Sequence, residues 1–309
     1  MARRWDVLGI GIATVDDLLT VEHYPPPDAK VAVEAHQRGA GGLTATALVA
    51  AARWGARCAY GGALGDDELS SFVRSALAGE GIDLSPSPHH PQAAPIHSTI
   101  IVDRTAHTRN IFFQRGAVVG PLPEAPDEAA VRAAAVLFVD HYGGGATARL
   151  QRLARAAGVP VVADLERADR PAFDEILALT DHLIVPRAFA QSLSGAHGPA
   201  EAVRALLAAR AAVVVTCGAE GGWWATAEAP EPQPFRAFPV DVVDTTGCGD
   251  VFHGVYAAEL AAGAGIERRL RHAAAAAALK ARTPGAQRGI PRRAEVEAFL
   301  ATRSTDAES

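Results

Sequence analysis

VLFVD (Val136–Asp140), ATARLQRLARAA (Ala146–Ala157) and VPVVAD (Val159–Asp164) follow one another: an apolar run, an Ala/Leu/Arg segment of helical spacing, and a second apolar run. The same texture extends in both directions. DVLGIG (Asp6–Gly11), HLIVP (His182–Pro186) and AVVVT (Ala212–Thr216) are further short, continuous apolar runs, and Ala200–Ala209 is another segment of helical spacing. Continuous apolar runs suit strands covered on both faces, and their alternation with helices marks a parallel sheet. The sequence therefore predicts a doubly wound α/β core.

Lys30–Arg38 and His97–Gln114 read differently, with polar and apolar residues alternating around a turn-like Asp103–His107. That period suits antiparallel strands with one solvated face. Strands contributed by about 12–40 and 95–116 then form a small sheet, a lid over one edge of the core. Pro25-Pro26-Pro27 and Ser85–Pro95 read as the connections into it. The polar tail from Thr302 is expected to fray. No internal repeat interrupts 1–309, which reads as a single domain.

With 309 residues, 49% hydrophobic and 21% charged, the chain can bury a large core, which excludes a disordered protein. A formal net charge of −6 gives no bulk attraction for nucleic acid or anionic membranes. Cys58, Cys217 and Cys248 form no C-x-x-C pair, which argues against a zinc site or disulfide framework and fits a reducing cytoplasm. The apolar stretch Val7–Val15 follows Arg3-Arg4 but is bracketed by Asp6, Asp16 and Asp17, so it reads as a first strand and not as a signal peptide. No run of about 18 apolar residues is present to span a membrane. The eleven histidines make no zinc pattern, and His253 reads as a packed residue.

The chemistry concentrates in DVVDTTGCGDVFHGVYAAEL (Asp241–Leu260), a polar glycine-rich turn that opens an amphipathic helix. Gly247 and Gly249 let the backbone approach a ligand, and the free amides at the helix start, with Cys248 between the glycines, make an anion site. Asp250 falls at the first helical turn beside that site. A carboxylate next to an anion hole is what in-line phosphoryl transfer requires: one group to orient the acceptor hydroxyl, the other to neutralise the moving phosphoryl. Helix capping is the ordinary alternative for such an aspartate.

DTTGCGD (Asp244–Asp250) resembles the D-T-x-G-A-G-D signature of the ribokinase-like (PfkB) carbohydrate kinases. GGLTATALVAAARWG (Gly41–Gly55), followed by GGALGDD (Gly61–Asp67), resembles the family's second signature. GIATVD (Gly11–Asp16), TCGAEG (Thr216–Gly221) and ALKARTPGAQRGIP (Ala278–Pro291) extend the likeness over the whole chain, and the motif wording is nearest the sulfofructose kinase branch. The resemblance implies a three-layer α/β/α core with a β-sheet lid, and ATP-dependent phosphorylation of a sugar hydroxyl with Mg2+. By this likeness Asp250 is the base and the Gly247, Cys248 and Gly249 amides hold the phosphoryl group. Asp16, Gly41, Gly42 and Thr46 hold sugar hydroxyls, while Lys30 and Arg109 are placed to meet an anionic substrate group. Thr216, Gly218, Glu220 and Gly221 face the nucleotide phosphates, and Gly285 belongs to the adenine-side loop. Asp244 and Thr246 match positions that coordinate a monovalent cation, K+, in many members.

Departures from the family pattern sharpen the expectations. The N-x-x-E motif that organises magnesium is replaced by PRAFA (Pro186–Ala190), where Arg187 substitutes as a phosphate counter-charge; Asp164 and Glu166 at a strand end stand in reserve as carboxylates. Thr46 stands where the sugar-binding asparagine is usual. No arginine lies near Val139–Tyr142 to meet a sulfonate. Cys248, in place of alanine, either packs quietly or, with a thiol pKa lowered at the helix start, is alkylation-sensitive. Rival readings are a nucleoside kinase of the same family, a retired sugar or nucleotide sensor, and an oxidoreductase suggested by Gly9-Ile10-Gly11, whose third fingerprint glycine is absent. Apolar alternation over Thr99–Phe113 points to a homodimer joined through the lid.

Overall fold

The computed structural model describes residues 3–106 and 108–304. His107, which closes the expected turn, and 305–309 of the expected tail lie outside the described residues. In chain order the first half comprises β1 (Trp5–Ile10), β2 (Thr14–Val21), β3 (Ala35–Gly41), α1 (Leu43–Trp54), β4 (Cys58–Tyr60), α2 (Glu68–Gly79), β5 (Ile96–Asp103), β6 (Thr108–Gln114), α3 (Glu128–Arg132), β7 (Ala134–Asp140) and α4 (Gly145–Ala157). There follow β8 (Val161–Asp164), α5 (Phe173–Ala178), β9 (His182–Pro186), α6 (Arg187–Ser194), α7 (Pro199–Leu207), β10 (Ala212–Thr216), β11 (Gly222–Thr226), β12 (Gln233–Phe235), α8 (Cys248–Ala261), α9 (Ile266–Lys280) and α10 (Arg293–Ser304).

Eight strands form one sheet in the order β12-β11-β10-β9-β8-β7-β1-β4, parallel from β10 to β4 and antiparallel at β10/β11 and β11/β12. Alternation along the strands builds two cores. Val7, Val136 and Phe138 face α1, α2, α8, α9 and α10, while Leu8, Leu137 and Val139 face α3 to α7. All five strands expected from the apolar runs are present. β4, β11 and β12 are additional; three residues of β4 and the Gly-Trp-Trp start of β11 carry too little alternation to announce a strand.

The lid is a four-stranded sheet in the order β3-β2-β5-β6. Its outer pairs, β2/β3 and β5/β6, are antiparallel as the alternation predicts, but the central pair β2/β5 is parallel, because both strands leave the core in the same direction. Asp17 ties three of the strands together: its carboxylate accepts from Arg38 at 2.8 and 2.9 Å and contacts His97 at 2.8 Å and His36 at 3.2 Å. Hydrogen bonds from Arg38 hold that carboxyl well below the usual range, against the opposing effect of burial. The strand expected from Lys30 begins only at Ala35. Pro25, Pro26 and Pro27 supply no amide for pairing, and Lys30 sits in the exposed connection after them.

Beneath the lid, buried Asp140 at the end of β7 joins the sheet to α1. It accepts from Ile12 N (2.8 Å), Thr44 Oγ1 (2.7 Å) and Tyr142 N (2.8 Å). Burial outweighs these donors and raises its pKa to about 6. α8 crosses α1 closely enough that a Cβ on Gly254 would fall on Ala47 O, so the helix bearing Asp250 is seated in the core.

Candidate active site

The turn before α8 adopts the conformation its glycines permit. Gly247 is the N-cap with φ 79°, and a side chain there would press on Ala286 O at 2.7 Å. The first main-chain bond of the helix runs from Val251 N to Gly247 O (2.9 Å), so the Gly249 and Asp250 amides precede it at the positive end of the helix. The Cys248 amide donates back to Thr245 O at 3.2 Å and is committed to the turn. Burial raises the Cys248 thiol to about 11 despite the nearby Lys280 charge, which corrects the reading of a lowered pKa.

Asp250 lies in the first turn of α8. Desolvation first, then the charges of Asp164 and Glu166, raise its carboxyl well above the ordinary value, against the pull of His253. Asp164, at the end of β8, is raised for the same reasons, burial first and then Glu166 and Asp140; a hydrogen bond with Asp250 opposes the shift. Both carboxyls therefore hold a proton more tightly than an ordinary aspartate. His253 is buried, as expected, but it is also tied to this group. Nδ1 lies 2.7 Å from Gly249 O and 3.4 Å from Asp164, and Nε2 lies 3.0 Å from Ile184 O. Since a carbonyl can only accept, the ring braces the first turn of α8 against β9.

On the lid side, Asp16 and Gly285 line a cavity of about 440 Å³ with Gly39, Ala40, Ala286 and Gln287. Burial raises the Asp16 pKa, and Ser98 and Thr14 oppose it as hydrogen-bond donors. A Cβ on Gly41 would lie 2.5 Å from Asp16 Oδ2, and Gly42, with φ 98°, would collide with Ile12 and Ala13. The glycine pair thus lets β3 enter α1 directly against Asp16. Thr46 is fully buried and its hydroxyl accepts from Gln287 Nε2 at 3.3 Å, so Gln287 and not Thr46 faces the cavity. Gly285, expected on the adenine side, lines this same cavity and donates its amide to Asp244 Oδ2 at 2.8 Å.

Arg109, expected to meet a substrate anion, reaches from β6 across to the turn before α8, where Nη1 donates to Thr246 Oγ1 (2.6 Å) and Asp244 Oδ1 (3.1 Å). Asp244 Oδ1 also accepts from Thr246 N (2.9 Å) and Thr246 Oγ1 (2.7 Å). Near Tyr142, tertiary structure supplies the arginine that the local sequence lacks. The Arg170 guanidinium lies over the Tyr142 ring, 4.9 Å from its centroid. Burial first, then Arg170 and Arg167, lower His141 to about 4.

At the ends of β9 and β10, Thr216 pairs with Pro186, and a 3₁₀ turn over Gly218–Glu220 leads to Gly221. Arg187, the first residue of α6, bonds Glu220 at 2.6 Å, which raises the guanidinium and lowers the carboxyl. The residue standing for the missing N-x-x-E motif and the T-x-G-x-x-G turn are thus one structural unit.

The description of the pfkB family carbohydrate kinases matches residues 6–293. The chain belongs to the PfkB family of carbohydrate kinases. It is 27% identical over 301 residues to the ribokinase of Haemophilus influenzae, covering 94% of this chain and 97% of that one. It is 29% identical to the ATP-dependent ribose-1-phosphate kinase of Halopiger xanaduensis, covering 96% and 98%. A crystal structure of a putative ribokinase from Agrobacterium tumefaciens superposes with a TM-score of 0.90 at 28% identity over 99% of both chains. As a PfkB kinase the chain combines the ribokinase fold with the lid described above. Sequence reasoning missed Asp140, Gln287, Lys280 and the bracing role of His253. Gln287 and Lys280 did stand within the segment Ala278–Pro291 that carries the likeness.

Proposed function

We propose that this kinase transfers the γ-phosphoryl group of ATP to a hydroxyl, a primary one, of a small sugar or sugar acid held in the cavity beneath the lid. The observation that carries the reading is the position of Asp250, a carboxyl of raised pKa in the first turn of a helix where the Gly249 and Asp250 amides precede the first main-chain helical bond. Asp250 takes the proton of the acceptor hydroxyl as its oxygen bonds to the γ-phosphorus. The bond to the bridging oxygen breaks, and ADP leaves. The Gly249 and Asp250 amides and the helix dipole offset charge on the transferring group. Asp16 orients the sugar by accepting from its hydroxyls, and Gln287 offers the amide that Thr46 does not. Thr216, Gly218, Gly221 and Arg187 belong to the nucleotide side. The lid excludes water, which would otherwise consume ATP.

Among the described residues no three His, Cys, Asp or Glu side chains stand close enough to hold a metal ion. That fits Mg2+ carried chiefly by the ATP phosphates, with the exposed Glu166 at the end of β8 the carboxylate that would face it through water. When bound, it would neutralise phosphate charge. The three free cysteines, Cys58, Cys217 and Cys248, fit a cytoplasmic enzyme.

ADP release with Mg-ATP across ribose, ribose 1-phosphate, fructose, tagatose, 2-keto-3-deoxygluconate, sulfofructose and nucleosides tests the proposal. Ribose and its phosphate head the panel because the similar proteins are a ribokinase and a ribose-1-phosphate kinase. Asp250→Asn is expected to lower turnover by about 10²–10⁴-fold with ATP binding retained. Turnover near that of the unaltered enzyme would exclude Asp250 as the base.

A further inference from the structure

Lys280 ends α9 and is 0% exposed. A buried ammonium is costly unless its donors are met. Here Nζ donates to two main-chain carbonyls, Asp244 O and Thr283 O, each at 3.1 Å. The first belongs to the turn that leads into α8, the second to the loop that follows α9, so the ammonium clamps these two segments together.

The same turn carries Asp244 and Thr246, the pair whose likeness to the family implies a monovalent cation. Their oxygens are already engaged by the chain itself. Asp244 O accepts from Lys280, Oδ2 from the Gly285 amide, and Oδ1 from Arg109 and both donors of Thr246. Thr246 Oγ1 accepts from Arg109 in addition. Two of these donors are side-chain cations, Arg109 delivered by the lid and Lys280 buried; burial lowers the Lys280 pKa and the Asp244 charge opposes that shift. This donor set does not fit a free K+ ion.

We propose that Lys280 is a tethered replacement for the monovalent cation, supported by Arg109, and that this kinase needs neither K+ nor Na+. A compact ammonium on a four-carbon stem provides the same single positive charge among carbonyl oxygens. The functional consequence rests on the reading of Gly247–Asp250 as the phosphoryl site; the structural consequence does not. Two readouts therefore separate the two ideas. Thermal midpoint and ADP release are measured at constant ionic strength in the chlorides of K+, Na+ and tetramethylammonium. For the unaltered protein, midpoints that coincide and rates within twofold are expected. A midpoint raised by several degrees in K+, or a tenfold activation by it, would overturn the proposal. Lys280→Ala vacates room for an ion and is expected to lower the midpoint, with K+ but not tetramethylammonium restoring it in a concentration-dependent way. A Lys280→Ala protein that folds with an unchanged midpoint, or that K+ leaves unaffected, counts against the replacement role. If that variant does not fold, the unaltered protein alone decides. Absence of kinase activity on every sugar would defeat the proposed reaction while leaving the midpoint comparison intact.

Discussion

Asp250 is placed by backbone and tuned by neighbours. Desolvation and the charges of Asp164 and Glu166 all disfavour its ionised form, so its proton is lost only above the pH of about 4 at which an ordinary aspartate ionises. A base works deprotonated, and therefore the rate falls as pH drops through this raised pKa. A pH profile of kcat/KM is expected to show an acid limb displaced above pH ~4, absent from the residual rate of Asp250→Asn. A rate that stays level down to that pH, or the same limb in the variant, would remove Asp250 from the role. Cys248 beside it carries the opposite lesson. A helix start favours a thiolate, but burial wins and the thiol is raised. A rule about position yields to solvation.

Among the elements, α8 does most to fix the site. Val251, Phe252, Val255 and Tyr256 bury it in the core, and its crossing of α1 depends on the absence of a side chain at Gly254. Gly254→Ala gains helix propensity yet places a methyl on Ala47 O; overpacking of this kind costs about 1–3 kcal/mol. A lowered denaturation midpoint in urea with an unchanged slope is the expected result, and an unchanged midpoint would show that the two helices separate freely. β3 and α1 are joined at Gly41-Gly42 for a similar reason, since Asp16 occupies the space a side chain on Gly41 would need. These glycines were legible in the sequence as motifs. Which atoms they admit was not, because the partners Ala47 and Asp16 come from other elements.

For the molecule as a whole, β6 is an edge strand of the lid sheet. β6 is exposed along its length, with Ile111, Phe112 and Phe113 at 51, 53 and 60%. Apolar residues on an unpaired edge strand favour association, and a homodimer through the lid is the expected state in solution. A monomeric mass by light scattering at micromolar concentration would exclude it, and Phe113→Lys is expected to shift a dimer toward monomer. The sequence by itself determined the layered α/β core, the lid segments and the carboxylate beside a glycine turn, because these depend on periodicity and on contiguous residues. Tertiary structure alone decided where the long polar side chains go. Arg109 bonds Asp244, Gly285 lines the cavity beneath the lid, Arg170 comes to Tyr142 from 28 positions away, and Lys280 enters the turn before α8. Such side chains answer to charges and carbonyls brought together only by folding, and no local pattern records them.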